Sequence, residues 1–363
     1  MSEQRAQDEL KTQLLVVDDS AVARLFLAKA IDAEPDLALI GLANNGRVAL
    51  EQIERRRPDL IVLDLEMPEM DGIATLRMLR ERHPSIPVIV FSALSERGAT
   101  LTIEALQLGA RDYLLKPAGM GSAGEAFDYV RRELLVRARE LGRPRPTSPA
   151  AQPRPRPAVS ESPTPSPASR RSGAVEAIAI AASTGGPLVL SWLLENLPMS
   201  LAAPVFIVQH LPASFIDAFV ARLDGRVGLT IRVGRTGARP RPGEVWFAPG
   251  DHHMVVQRDA NGLVLGLEQS PPLHGCRPAA DVLFRSLARS CGSTTLAVVL
   301  TGMGRDGCDG AIAIDAAGGR VFAQDRASAV VWSMPGAVVE AGVANEVVEL
   351  DQLAVRIERA CAR

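Results

Sequence analysis

From Lys11 to about Leu141, short apolar runs alternate with amphipathic stretches, the sequence form of a parallel sheet covered by helices. The runs Leu14 to Val17, Leu37 to Ala43, Leu60 to Leu63, Pro87 to Phe91 and Asp112 to Leu115 predict five strands. Ala21 to Ala33, Gly46 to Arg55, Ile73 to Arg82, Thr100 to Leu108 and Glu125 to Leu141 predict the helices. After Gly173, strand-like runs recur at Ala177 to Ala182, Val205 to Gln209 and Thr295 to Thr301, with helical patterns after the first and third, so a second α/β domain is expected. The stretch Leu229 to Leu267, with Gly-Glu-Val-Trp-Phe-Ala-Pro-Gly and Asp-Ala-Asn-Gly, predicts strands joined by turns. The expected fold class is α/β: a doubly wound five-stranded parallel domain, then a second α/β domain with a parallel sheet and an antiparallel β insertion.

Between the two patterns, Gly142 to Gly173 holds nine prolines, six arginines and no large apolar residue. A core cannot form from such a composition, and the segment is expected to be a flexible tether. Fully extended as polyproline helix it would span about 100 Å, and as a coil nearer 30 Å. The expected domains are therefore 1–141, a linker over 142–173, and 174–363.

Composition narrows the classes. A chain of 363 residues with 47% hydrophobic and 23% charged residues suits two soluble globular domains. A formal net charge of −2 gives no general field for nucleic acid or an anionic membrane. Cys276, Cys291, Cys308 and Cys361 form no C-x-x-C pair, so neither a zinc knuckle nor a disulfide framework is indicated. The polar N-terminus, and the lack of any apolar run near the roughly 18 residues of a membrane span, point to the cytoplasm without direct membrane insertion.

Ligand sites in doubly wound sheets form outside the carboxyl ends of the strands. Asp18 and Asp19 follow the first predicted strand and Asp64 ends the third. Three converging carboxylates repel one another unless a cation is present, and Mg2+ prefers a few carboxylate oxygens with waters. A carboxylate beside that ion can accept a phosphoryl group. Ser92 and Lys116 end the fourth and fifth strands, where a hydroxyl and an ammonium can meet phosphoryl oxygens. Glu69 and Asp71 read only as loop and capping residues.

The second half carries different chemistry. Ser183-Thr-Gly-Gly-Pro follows a buried strand and leads into a helix, where glycines allow close approach and amide groups can stabilise an oxyanion. His210 directly follows a strand and can lean over Ser183 as its base, and Asp306 is the candidate to fix the imidazole tautomer. Asp309 competes with Asp306 but sits where the next helix needs a cap. Asp251-His252-His253 evokes a metal site, yet no third ligand has useful spacing.

These segments resemble two known families. Val-Asp18-Asp19-Ser, Leu-Asp64-Leu-Glu-Met-Pro-Glu-Met-Asp-Gly, Phe-Ser92-Ala and Tyr113-Leu-Leu-Lys116-Pro look like the motifs of response-regulator receiver domains. By that resemblance Asp64 is the phosphoacceptor, Asp18, Asp19, Asp64 and the backbone carbonyl of Glu66 hold Mg2+, Lys116 contacts the phosphoryl group, and Ser92 with Tyr113 forms the switch pair. Ala-Ser-Thr-Gly-Gly-Pro, Gln-His-Leu-Pro, Trp-Phe-Ala-Pro-Gly-Asp-His-His, Arg-Pro-Ala-Ala-Asp-Val-Leu-Phe, Leu-Thr-Gly-Met-Gly-Arg-Asp-Gly and Ala-Gln-Asp-Arg-Ala-Ser-Ala-Val-Val-Trp-Ser-Met-Pro resemble the catalytic domain of chemotaxis protein-glutamate methylesterases.

This second resemblance implies that Ser183 is the nucleophile, His210 the general base and acid, and Asp306 the orienting carboxylate, with the backbone at Thr184 and Met303 as oxyanion hole and no cofactor at the esterase site. The implied reaction is hydrolysis of glutamate γ-methyl esters on methylated chemoreceptors, releasing methanol, with glutamine deamidation as a possible second activity. The implied control is an unphosphorylated receiver that covers the site until a sensor histidine kinase phosphorylates Asp64. Arg277-Pro-Ala-Ala-Asp281 departs from the family's usual Arg-Pro-Ser-Val-Asp, and the tether is unusually Pro-rich. Two other readings remain: the same ester chemistry in a chemosensory pathway other than motility, and a response regulator with a non-catalytic output domain. The second predicts a helix-turn-helix or basic output face, for which the sequence gives no sign.

Overall fold

The computed structural model describes residues 11–142 and 174–362. Of the expected tether, 142–173, all but Gly142 lies outside the described residues. In the first part, β1 (Thr12–Val17), β2 (Leu37–Ala43), β3 (Leu60–Asp64), β4 (Val88–Ser92) and β5 (Asp112–Leu115) pair in parallel in the order β2-β1-β3-β4-β5. The apolar runs of β3 and β4 are buried throughout, as the centre of a parallel sheet requires, while the edge strands β2 and β5 are only partly buried. The order reverses at β1, which opens a crevice at the carboxyl ends of β1 and β3.

The helices here are α1 (Ala21–Asp32), α2 (Gly46–Arg55), α3 (Gly72–Arg82), α4 (Glu96–Gln107) and α5 (Ala123–Leu141). Each starts after a side chain that accepts a hydrogen bond from the first-turn backbone: Ser20, Asn45, Asp71, Ser95 and Ser122. Asp71 is thus a cap, as expected. The Ser95 cap starts α4 a turn earlier than the apolar pattern beginning at Thr100 indicates.

The second part contains β6 (Ala177–Ala182), β7 (Val205–Gln209), β8 (Thr230–Val233), β9 (Glu244–Phe247), β10 (His253–Asp259), β11 (Gly262–Glu268), β12 (Thr295–Val299), β13 (Arg320–Gln324) and β14 (Glu346–Val348). Seven of these form one parallel sheet, ordered β14-β13-β12-β6-β7-β9-β8. Its helices are α6 (Gly186–Asn196), α7 (Ala213–Leu223), α8 (Ala280–Ser290), α9 (Cys308–Ala316), α10 (Ser333–Glu340) and α11 (Leu350–Cys361).

The antiparallel expectation for Leu229 to Leu267 holds only for its second half, the β10–β11 hairpin. β8 and β9 instead extend the parallel sheet, with Val245 of β9 aligned to Val205 on one side and Ile231 on the other. Short strands separated by turns look alike in sequence whether the connection reverses the chain or carries it back to the same end. The loop between Val233 and Glu244 does the latter. Helix α7, after the second strand run, also went unanticipated; it buries Phe215, Ile216 and Phe219.

The two parts meet through α4, which packs on α6 and α7. Gln107 Nε2 at the end of α4 donates to Ser191 Oγ at 2.9 Å, and its Oε1 accepts from Arg222 Nε. The Tyr113 ring stacks on Phe215 with centroids 5.3 Å apart. Among the described residues no helix is long and apolar enough to cross a membrane.

Candidate catalytic site and phosphoryl pocket

At the crevice of the first sheet, Asp18, Asp19 and Asp64 each bring a carboxylate oxygen within 4.8 Å of the others. Lys116 Nζ bridges two of them, 2.8 Å from Asp64 Oδ2 and 3.1 Å from Asp18 Oδ2. Beyond this ion pair the buried Asp18 Oδ2 has no hydrogen-bond partner. Burial pushes the Asp64 carboxyl above its ordinary value, Asp18 adds to this, and Lys116 opposes it. Burial also pulls on Lys116, but the two carboxylates outweigh it and raise the ammonium. An orphaned buried oxygen among three carboxylates fits a hard divalent cation such as Mg2+.

Ser92 is buried beside this crevice; its Oγ accepts from Thr102 Oγ1 at 2.7 Å and donates to Gly98 O at 3.3 Å. Tyr113 shares no hydrogen bond with Ser92 among the described residues. Its ring lies against Phe215 instead, where burial pushes the phenol up. The Glu66 side chain pairs with Arg97 at 2.8 Å.

In the second sheet, β6 delivers Ser183, whose N–H donates to Thr301 O at 3.0 Å. Gly185 has φ 76°, a left-handed conformation that suits glycine. At Gly186 a Cβ would overlap Gln209 Oε1, so only glycine leaves room for the side chain that donates from Nε2 to Ser183 O at 3.0 Å. β7 delivers His210, anchored by its N–H to Ala182 O at 3.2 Å.

His210 Nε2 lies 2.8 Å from Asp306 Oδ2. Asp306 is only 2% exposed. It accepts from Ala280 N–H at 2.6 Å, Asp281 N–H at 3.0 Å and Gly307 N–H at 3.0 Å, so the positive end of α8 faces it. Burial would raise the Asp306 carboxyl, but His210 and these amides outweigh it and hold it below the ordinary range. Burial likewise opposes the charge on His210, yet Asp306 and Cys276 overcome it and lift the imidazole from 6.5 to about 10. Ser183 Oγ forms no hydrogen bond with His210 among the described residues; His210 Nδ1 faces Cys276 Sγ at 3.8 Å.

Ser183, His210 and Met303 line a cavity of about 730 Å3 whose opposite wall is Asp112, Tyr113 and Arg137 from the first part of the chain. Thr184 Oγ1 donates to Asp112 Oδ2 at 2.8 Å inside this interface. The backbone N–H groups of Thr184 and Met303 donate to no protein acceptor among the described residues, which leaves both available to an oxyanion.

Asp309 is not a cap. Gly307 precedes α9 with φ 92°, and Asp309 sits inside the first turn, paired with Arg285 at 3.3 Å and Arg305 at 3.5 Å. His253 spends both ring nitrogens on backbone, Nδ1 on Ala279 N–H and Nε2 on Pro271 O, while Asp251 pairs with Arg277. Sequence reasoning missed Asp112, Gln209 and Cys276 as neighbours of the site. Gln209 was visible beside His210, but nothing local marks Asp112 or Cys276, whose importance comes from segments far apart in the chain.

Two family models match the chain: one described as CheB methylesterase over residues 178–357, and one as response regulator receiver domain over residues 14–126. A Nocardioides sp. protein named protein-glutamate methylesterase/protein-glutamine glutaminase is 46% identical, over 97% of this chain and 96% of its own length. A Pseudomonas aeruginosa protein of the same name, numbered 2, is 41% identical over 96% of this chain and 97% of its own. The catalytic domain of Thermotoga maritima CheB methylesterase, known as a crystal structure, is 35% identical and covers 52% of this chain and 99% of its own, with a TM-score of 0.50.

Proposed function

Because the chain belongs to the family of protein-glutamate methylesterases that carry a response-regulator receiver domain, we propose that it hydrolyses glutamate γ-methyl esters on methylated chemoreceptors in the cytoplasm, and that phosphorylation of Asp64 turns this activity on. In this reading residues 1–141 are the receiver, 142–173 the linker and 174–363 the esterase. The observation that carries it is the shared cavity, in which Ser183 and His210 face Asp112, Tyr113 and Arg137 of the receiver.

Ser183 Oγ attacks the ester carbonyl while His210 takes its proton, and the new C–O bond gives a tetrahedral oxyanion held by the N–H groups of Thr184 and Met303. Asp306 keeps the imidazole oriented through Nε2. Collapse breaks the bond to methoxide, which leaves as methanol with the proton from His210. Water, deprotonated by His210, then cleaves the acyl-enzyme and restores Ser183 and a glutamate carboxylate. A glutamine amide entering the same path would release ammonia, which would make deamidation a second activity.

In the receiver, Asp18, Asp19, Asp64 and the Glu66 carbonyl would hold Mg2+, which offsets the carboxylates' charge and draws phosphoryl oxygens toward Asp64. Asp64 attacks the phosphohistidine of a sensor kinase; an O–P bond forms and the P–N bond breaks. Lys116 and Ser92 meet the phosphoryl oxygens, which withdraws Lys116 from its carboxylate pair and biases the β4–β5 face bearing Tyr113. Methanol release from methylated chemoreceptor, with and without Mg2+ and a small phosphodonor, tests the reading. Release should rise with the phosphodonor in the parent, stay basal in Asp64→Ala and vanish in Ser183→Ala; full stimulation of Asp64→Ala would refute the control, and persistent release from Ser183→Ala the mechanism.

A further inference from the structure

Residues Leu273–Cys276 form a tight turn beside the esterase site. Leu273 N–H donates to Cys276 O at 3.0 Å and Cys276 N–H to Leu273 O at 2.9 Å. Between them His274 and Gly275 have φ 53° and 76°, the two left-handed residues of a two-residue hairpin turn. Residues other than glycine adopt that conformation uncommonly, histidine less so than most, and here it is tied down: Nε2 lies 3.0 Å from Asp281 Oδ2. Asp281 accepts from Gly310 N–H at 2.6 Å through its other oxygen, and its own N–H reaches Asp306.

The turn therefore holds Cys276 at a fixed place, with Sγ 3.8 Å from His210 Nδ1 and 3.7 Å from His274 O. A ring of contacts closes through Cys276, His210, Asp306, Asp281 and His274. His210 has two nitrogens, one on Asp306 and one on Cys276, and Ser183 holds neither. A serine nucleophile needs one of them.

We infer that Cys276 is a positioning residue for His210: its thiol occupies Nδ1 in the resting chain, keeps the ring turned with Nε2 on Asp306, and yields Nδ1 to Ser183 when the ester is hydrolysed. The inference rests on the catalytic reading of Ser183 and His210 given above. The only covalent change at the thiol is a proton passing from Sγ to Nδ1 and back. Around His210 the other charged groups are already matched across elements: Arg277 by Asp251, and Arg137 by Asp112 and Glu133. Asp306 and the Cys276 thiol are left as its direct partners.

The first test uses the full chain and iodoacetamide, with alkylation of each cysteine followed by mass spectrometry from pH 5 to 9. Contact with an imidazole makes a thiol's alkylation rate depend on that ring. Cys276 should react at least about tenfold faster at pH 6 than the similarly part-buried Cys291, and His210→Gln should erase that excess while leaving Cys291 unchanged. Equal rates, or an excess indifferent to His210→Gln, would overturn the pairing. A second arm reads the reaction itself. In Cys276→Ala and Cys276→Ser the acid limb of the kcat/KM pH profile should move down by about one unit, and iodoacetamide should inactivate the parent but neither variant. An unmoved limb in both variants would overturn the positioning role. Hydrolysis surviving in Ser183→Ala would defeat the catalytic reading instead, and the alkylation arm would still stand or fall alone.

Discussion

Thr184, next to Ser183, donates its hydroxyl to Asp112 of the first domain at 2.8 Å, and both residues are buried. Arg137 lies 3.3 Å from the same carboxylate and donates to Tyr113 O at 2.9 Å, so the contact is braced from the receiver side. A hydrogen bond to an ionised group contributes about 1.5–3 kcal/mol, and about 1.4 kcal/mol is tenfold in an equilibrium. Asp112→Ala should therefore raise methanol release without phosphodonor by about tenfold or more. A basal rate unchanged by the substitution would show that this bond does not hold the domains together.

Although burial opposes it, Asp306 and Cys276 lift the imidazole of His210 to about 10, which favours its charged form in the folded chain. Basal hydrolysis by the unphosphorylated protein should climb with pH toward that value. The stability consequence has a definite sign. With a folded value above the ordinary 6.5, His210 contributes stability that is complete below about 6.5 and is lost as pH rises through about 10. Unfolding of the parent and of His210→Gln at pH 6 and pH 10 should show a smaller loss in the variant; equal losses would mean the pair contributes nothing.

Burial raises the Asp64 carboxyl, so its charge is a burden on the folded receiver at neutral pH. Asp64→Asn should raise the Tm of that domain in the absence of divalent cation. Added Mg2+ should stabilise the parent, by about 2.7 kcal/mol at a hundredfold excess over its Kd. Asp18→Asn should lose most of the effect, and an equal Mg2+ response in parent and Asp18→Asn would exclude this crevice as the binding place.

Gly186 lies where any Cβ meets Gln209 Oε1, and Gln209 supports the Ser183 carbonyl. Gly186→Ala should cost about 1–3 kcal/mol of stability through overpacking, together with a fall in kcat larger than the fall in folded protein. Normal kcat in the folded variant would mean that Gln209 can move without disturbing Ser183.

The order of the chemistry was readable in the chain because strand ends are local features. An apolar run followed by Asp, Ser, His or Lys marks a residue at the carboxyl edge of a sheet, and Asp18, Asp64, Lys116, Ser183 and His210 all stand there. The capping role of Asp71 was equally local. The direction of β8 and β9 was not, since pairing is set by which neighbour a strand finds after its turn, and the alternation along four residues is the same for either partner.

Sequence by itself determined the two α/β patterns, the tether's composition and the residue types at each strand end, because these follow from periodicity within a single segment. Only the tertiary structure decided that Asp112 reaches Thr184, that Tyr113 stacks on Phe215 rather than meeting Ser92, and that Cys276 takes the free nitrogen of His210. Those contacts join residues 66 to 102 positions apart. Their geometry depends on how whole elements pack, which no local pattern of apolar and polar residues encodes.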